Sequence, residues 1–319
     1  MKKFILKFIA AVIIVYLLLF SMQSAIDFCL KKDNICENNT WSQIYNGKIK
    51  TEIVILGTSR AEVHYDTEAI KKLTGLDTYN LGVSGTHYDI LQMRWKLYRD
   101  RNPKPKILIL DLDDNSLFES EDLFNKFQYL PYLNTSEYDA VAKEIDGDYY
   151  YEKYIPLYKY RGYEMTIFQQ IMSLRKASYC PKNVKGYVES DINWIDKDYL
   201  NFKKIIEDGK LKDDFNFNKY KKGFVVLKEI IEDCKRNNIK VFFVWSPYYF
   251  EANLYRPYNK KCINNILNKI AQQNNIKYRN FSRDSICLKK ENFYNYTHMN
   301  KNGVAIFSKR IGEMINDKN

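Results

Sequence analysis

Apolar residues recur along this chain with two periods and one unbroken run. The run comes first, from Phe8 to Phe20, and with Phe4 to Leu6 and Ser21 to Ala25 it reaches the ~20 residues needed to cross a bilayer if Lys7 snorkels. Further on, Thr78–Leu81 reads as a short strand and Tyr278–Phe281 as a weak one, and short apolar runs of strand length stand at Ile53–Leu56, Ile107–Leu110 and Val241–Trp245. Strands buried on both faces read this way, as continuous rather than alternating apolar stretches. Between them the spacing is helical. Ala69, Ile70 and Leu73 follow a capping Thr67 and end at Gly75; Ile90, Leu91, Leu97 and Tyr98 precede Pro103. Tyr220, Phe224, Leu227, Ile230, Ile231 and Cys234 line a third helix, stopped by Asn237-Asn238. Ile263, Ile266, Leu267 and Ile270 mark a fourth, and a last begins near Gly303 with Phe307, Ile311 and Met314 or Ile315 inward. Strand alternating with helix predicts an α/β fold, an open and mostly parallel sheet with helices on both faces. From about 120 to 214 the alternation stops, and that stretch is expected to be a Tyr-rich insertion or cap. The predicted organisation is therefore an anchor over 1–27, a juxtamembrane segment over 28–50 and one α/β domain over 51–319.

The residues around the first run supply an address. Lys2, Lys3 and Lys7 form a charged lead before an apolar h-region, which is an export signal. No small-x-small cleavage site follows, so the run is expected to stay as a single-pass anchor, with the lysines inside and everything after it extracytoplasmic, on the periplasmic side of the cell membrane. Cysteines can oxidise there. Cys29 and Cys36 flank a short loop, Cys262 and Cys287 flank a predicted helix and strand, and Cys180 and Cys234 have no evident mate; Cys234, on an apolar helix face, reads as a buried free thiol. Spacing leaves the connectivity open. With no paired C-x-x-C, a structural zinc is not expected. The net charge of +11 comes from lysines spread along the chain, without a basic block interleaved with aromatics, and so does not point to nucleic acid. The tyrosines Tyr149, Tyr150, Tyr151, Tyr154, Tyr158, Tyr160 and Tyr163 either stack on a sugar-like ligand or pack the cap.

Candidate chemistry gathers where the strands stop. Ser59 follows Gly57 just past the first strand, at the sheet edge where ligands collect in α/β folds. Gly82-Val83-Ser84-Gly85 ends the second strand and Asp111-Leu-Asp-Asp-Asn115 the third. His298 stands in the loop before the last helix, placed to act as general base to a serine hydroxyl that is otherwise a poor nucleophile. Arg60 either orients an anionic substrate or pairs with a carboxylate. His64 and His87, in or beside helix starts near the rim, stand where they could line a pocket but read as capping or surface residues, and Ser84 reads as a turn residue.

Together these stretches resemble a family. Gly57-Thr-Ser-Arg60, Asn80-Leu-Gly-Val-Ser-Gly85, Asp113-Asp-Asn115 and Asn295-Tyr-Thr-His298 occur in the order of the four sequence blocks of SGNH/GDSL hydrolases, across roughly 52–90, 106–118 and 240–315. The resemblance implies a flavodoxin-like core, Ser59 as nucleophile and His298 as base. It also implies an oxyanion hole from the Ser59 and Gly85 amides and the Asn115 side chain, with no cofactor and no metal. With the anchor, the chain is similar to exported polysaccharide O-acetyl esterases and acetyltransferases. That implies a serine-dependent esterase or acyltransferase working on O-acyl groups, acetyl above all, of a cell-envelope polysaccharide. For transfer, a membrane-bound O-acyltransferase partner would deliver the acyl group. Two departures stand out. Asn295 occupies the position of the family's usual Asp, which leaves a weak dyad, a carboxylate borrowed from Asp284 or Glu291, or a module that binds glycan or a partner without turnover. Asp113-Asp114 stands where glycine is common and brings negative charge toward a developing oxyanion. A rival resemblance, of Ile109-Leu-Asp-Leu-Asp-Asp114 to magnesium-dependent phosphatases of the haloacid-dehalogenase type, lacks the usual following threonine and a later acidic motif.

Overall fold

The computed structural model describes residues 1–31, 39–119, 123–133, 135–173, 183–209 and 213–317. In chain order, α1 (Lys2–Leu30) and α2 (Asn39–Tyr45) precede β1 (Ile53–Leu56); α3 (Ser59–His64) and α4 (Thr67–Thr74) lead to β2 (Thr78–Asn80), and α5 (Tyr88–Arg101) to β3 (Ile107–Asp111). Next come α6 (Ser136–Ile145), α7 (Tyr149–Tyr154), α8 (Glu164–Ser173), the hairpin β4 (Asn183–Val184) and β5 (Tyr187–Val188), α9 (Asp196–Glu207) and α10 (Asn218–Arg236). Then β6 (Lys240–Trp245), α11 (Pro257–Gln273), β7 (Lys277–Asn280) and α12 (Lys301–Asn316) complete the chain. These elements form two compact units, Met1–Asn46 with Glu121–Cys180 and Gly47–Ser120 with Pro181–Asn319.

The second unit is built on a parallel sheet of order β2-β1-β3-β6-β7. β1 and β3 pair from Ile53↔Ile107 to Leu56↔Leu110, and every residue of both is buried, which is why each reads as an uninterrupted apolar run. The order reverses between β1 and β3, and a crevice at the carboxyl ends of those strands is where such sheets bind ligands. Ile55, Ile109, Phe242 and Val244 meet Phe281, Phe293, Phe307 and Ile311 in the core. At the end of β1 only glycine fits: a Cβ on Gly57 would lie 2.6 Å from the Ala61 Cβ and 2.9 Å from the Asp111 Cβ.

Local details differ from the sequence reading in instructive ways. The cap of α4 is Asp66, whose Oδ1 accepts from the Glu68 and Ala69 amides, while the expected cap Thr67 donates its hydroxyl to the Val184 carbonyl. Gly75 ends that helix as expected, with φ +74 and its amide on the Lys71 carbonyl. The stretch expected as one insertion is divided. Its later part, with the β4–β5 hairpin and α9, belongs to the sheet unit: the Asn80 amide donates to the Lys185 carbonyl, and Tyr187, Tyr199 and Phe202 enter the core.

The first unit gathers α1, α2 and α6–α8. α1 is long and apolar enough to cross a membrane. Of its residues Gln23, Asp27 and Leu30 are buried: the Leu157 amide donates to Gln23 Oε1 at 2.7 Å, and Lys159 Nζ lies 2.8 Å from Asp27 Oδ1, where Tyr160 also hydrogen-bonds. Trp41 packs edge-on to Tyr129 and donates to Gln128. Tyr149 and Tyr160 are buried here, whereas Tyr150, Tyr151 and Tyr154 are exposed. Among the described residues, Cys29, Cys234, Cys262 and Cys287 are free thiols; Cys36 and Cys180 lie outside the described residues. Cys234 is buried, and burial pushes its thiol up to about 12.

Candidate active site

Ser59 and His298 stand 239 positions apart in sequence and meet in space, with Ser59 Oγ 2.8 Å from His298 Nε2. The turn after β1 carries the serine to the first position of α3. The loop ahead of α12, whose cap Asn300 accepts from the Asn302 and Gly303 amides, carries the histidine. Tyr294 stacks on the imidazole, centroids 5.5 Å apart and planes 6° from parallel, which fixes the ring.

Behind the histidine the partners are neutral oxygens. His298 Nδ1 lies 3.1 Å from Asn295 Oδ1 and 3.0 Å from Thr297 Oγ1. Asn295 Oδ1 accepts from the Thr297 and His298 backbone amides at 3.0 and 2.8 Å and from the Thr297 hydroxyl at 3.1 Å. Backbone N–H groups only donate, so they require the amide oxygen, not the nitrogen, to face the ring. That oxygen in turn requires the proton to sit on Nδ1, leaving Nε2 free to accept from Ser59. The ring is held neutral: burial first, and the nearby Arg60 charge second, depress His298 to about 4, against a smaller opposing pull from Asp113. Asp284 is engaged elsewhere, capping Ile286 and paired with Arg310, and Glu291 is exposed; no contact joins either to His298.

The opposite wall is charged. Arg60 is buried in an ion pair with Asp113, donates to the Ser246 carbonyl at 3.3 Å, and lies 5.3 Å from the Tyr248 ring centre. Its guanidinium is held further toward the charged form by Asp113, Asp111 and Asp114 despite its burial. Asp113 Oδ1 takes the Ser116 amide at 2.6 Å, a turn that leaves Asn115 at the exposed tip. Asp114 is raised by burial and by Asp113, and Lys260 is lowered by burial although Asp114 opposes this, so both are moved toward their neutral forms. Of the negative charge that the sequence brings to this block, the Asp113 part is thus paired with Arg60 and the Asp114 part is shifted toward the neutral carboxyl.

These groups line one cavity of about 500 Å³, with Thr58, Ser59, Arg60, Asp113, Asp114, Asn115, Thr297 and His298 on its polar side. Phe202, Tyr248, Tyr255 and Tyr296 form an aromatic side, with Phe202 stacked on Tyr296 at 4.3 Å. Gly85 is exposed in its own turn and is not among the lining residues. Asn80 explains that turn: its amide ties the Ala61 carbonyl to the Gly82 amide at 2.6 and 2.8 Å. His87 lies with Nδ1 2.7 Å from the Asn115 carbonyl, at the cap position of α5. His64 corrects the sequence reading. It is fully buried, accepts the Met299 amide on Nε2, and stands 6.1 Å from the His298 ring, so it supports the loop from below instead of capping or facing solvent. Ser84 donates to Glu62, a turn role as expected. Lys260, Tyr255 and Phe202 were missed. Only Tyr248 had a signal, since it follows the Ser246-Pro247 break at the end of β6.

No family model matches the chain, and no curated protein does. Solved structures are similar to it, among them two from Bacteroides. One is a Bacteroides fragilis protein assigned as an acylhydrolase, at 12% identity and TM-score 0.39 over 83% of this chain and 86% of that one. The other is a GDSL-like lipase of Bacteroides thetaiotaomicron, at 12% identity and TM-score 0.39 over 82% of this chain and 86% of that one. The sheet order and the serine–histidine contact stand on this chain's own geometry.

Proposed function

We propose that this chain is an SGNH-type serine esterase or acyltransferase acting on O-acyl groups. The observation that carries the reading is the Ser59 Oγ to His298 Nε2 contact of 2.8 Å on the wall of a cavity, with the correct imidazole tautomer enforced from behind. In the proposed reaction Ser59 Oγ bonds to the ester carbonyl carbon as its proton passes to His298 Nε2. The carbonyl oxygen becomes an oxyanion, received by the Ser59 amide and the Asn115 side chain; the Gly85 amide, the third donor that the family resemblance implies, lies outside the cavity lining and would have to approach for that role. Collapse breaks the ester C–O bond, and His298 returns the proton to the departing alcohol. Water or a second hydroxyl then attacks acyl-Ser59 with the proton again passing through His298, which gives hydrolysis or transfer respectively.

The aromatic side of the cavity suits the ring of a sugar and the polar side its hydroxyls. We place the site outside the cytoplasmic membrane, held by α1, with cell-envelope polysaccharide as the acceptor or acyl carrier, acetyl as the group, and a membrane-bound O-acyltransferase as the donor partner where transfer occurs. A second reading, a module that binds glycan without turnover, is favoured by the uncharged Asn295. The phosphatase reading loses its support, because Asp111 is buried outside the cavity lining and Asp113 is tied to Arg60. Mass spectrometry of the full chain after exposure to a chromogenic acetyl ester tests the proposal: acetyl on the Ser59 peptide is expected. Its absence at all quench times, with no ester turnover, would leave the binding module.

A further inference from the structure

The apolar surface of the first unit does not end with α1. Tyr150, Tyr151 and Tyr154 of α7 are exposed, the first at 63%. Met165, Phe168 and Met172 of α8 are exposed too, the first two at 68% and 60%. The three α8 residues fall at i, i+3 and i+7, one stripe of a helix. On α7 the two charges are matched within the unit: Glu152 is buried against Lys126 at 2.6 Å, and Lys153 is paired with Asp139 while lying 6.0 Å from the Tyr154 ring centre. The patch is continuous with α1. α8 packs on α1, and the Tyr16 hydroxyl donates to the Tyr154 carbonyl at 3.1 Å.

That hydrogen bond sets a depth. From Phe4 to Met22 the bare part of α1 rises about 28 Å at 1.5 Å per residue, close to the ~30 Å of a hydrocarbon core. Gln23 and Asp27, where α1 becomes buried in protein, then lie at the outer boundary. Tyr16 is six residues below Met22, about 9 Å inward. Amphipathic helices that ride in an interface sink their apolar face ~5–10 Å, and tyrosine is enriched at that level.

We propose that α7 and α8 form an interfacial foot, lying in the outer leaflet at the headgroup–acyl boundary beside α1. The proposal rests on the reading that α1 spans the membrane. A lone spanning helix leaves its unit free to tilt against the bilayer surface; the foot adds a second lipid contact, and lifting it out would expose its apolar face to water, so the tilt is restricted. The occupant of the patch is lipid, because the patch borders the lipid-facing helix and shares its depth.

The test uses the wild-type full chain reconstituted in phosphatidylcholine vesicles containing a lipid with a diazirine near the top of its acyl chain. After irradiation, adducts are mapped by peptide mass spectrometry. Label is expected on α1 and on peptides spanning 150–155 and 165–172, several-fold above a peptide from α11. Label on α1 alone would overturn the foot while leaving the anchor, and would hand the patch to a protein partner. Label on neither would remove the anchor and the foot together. A Met165→Ser, Phe168→Ser, Met172→Ser variant should keep label on α1 and lose it on α8; unchanged labelling of α8 would also overturn the proposal.

Discussion

The two sides of Ser59 handle charge in opposite ways. Behind His298, among the described residues, the ring nitrogen meets neutral oxygens, Asn295 Oδ1 and Thr297 Oγ1. Across the cavity stand Arg60, Asp113, Asp114 and Lys260, and none of these has His298 as its pairing partner. Orientation and charge compensation are therefore separable in this site. Where an Asp usually provides both, Asn295 retains the orienting part because two backbone amides dictate which of its atoms faces the ring. What is lost is the negative charge that would steady an imidazolium. The charged wall has the reverse character: it carries full charge, matched in the buried Arg60–Asp113 pair, but no contact that orients the ring.

Removing the nucleophile breaks the comparison most severely. Ser59→Ala should lower esterase kcat/KM by about 10⁴-fold or more, the scale of losing a member of a serine–histidine pair. The melting temperature should hold, because the side chain is small and only half-buried. Full activity in a folded Ser59→Ala protein would defeat the mechanism. The wall should respond in stability instead. Arg60→Met strands the Asp113 carboxylate in a buried place, and breaking a buried pair from one side costs about 3–5 kcal/mol. Urea titration in detergent would measure this, and adding Asp113→Asn should recover much of the loss. A wild-type-like Arg60→Met would show that water reaches Asp113.

What could be read from sequence follows the same division. β1, β3 and β6 announce themselves because both faces are buried, and Ser59, Asn115 and His298 follow from the rule that loops at strand carboxyl ends share a rim. Lys260 and Phe202 could not be found that way, since they reach the cavity from α11 and α9, and no strand end points to them. Asp66 took the cap from Thr67 because its carboxylate reaches two free amides, a choice decided by local geometry and not by residue type. The division of residues 120–214 left no mark, because Tyr199 and Phe202 look in sequence like the tyrosines that went to the other unit.

The smallest expected effect is the sharpest test of the neutral side. Asn295→Asp is nearly isosteric, and its carboxylate can accept from the same two amides and from Nδ1–H, so it adds charge without altering orientation. Charge-assisted hydrogen bonds are about twice as strong as neutral ones, and each 1.36 kcal/mol of transition-state stabilisation is worth about tenfold in rate. Esterase turnover should rise by about tenfold. The pH profile should move with it. The base is the neutral imidazole, so wild-type activity should climb as pH rises through about 4 and stay level above that limb. A carboxylate at 295 favours the charged ring and raises its pKa, so the limb should shift upward toward the ordinary histidine value. A raised limb with an unchanged rate would mean that imidazolium stability does not limit turnover. An unmoved limb would mean that another carboxylate already serves the ring, and the contrast between the two sides of Ser59 would then be wrong.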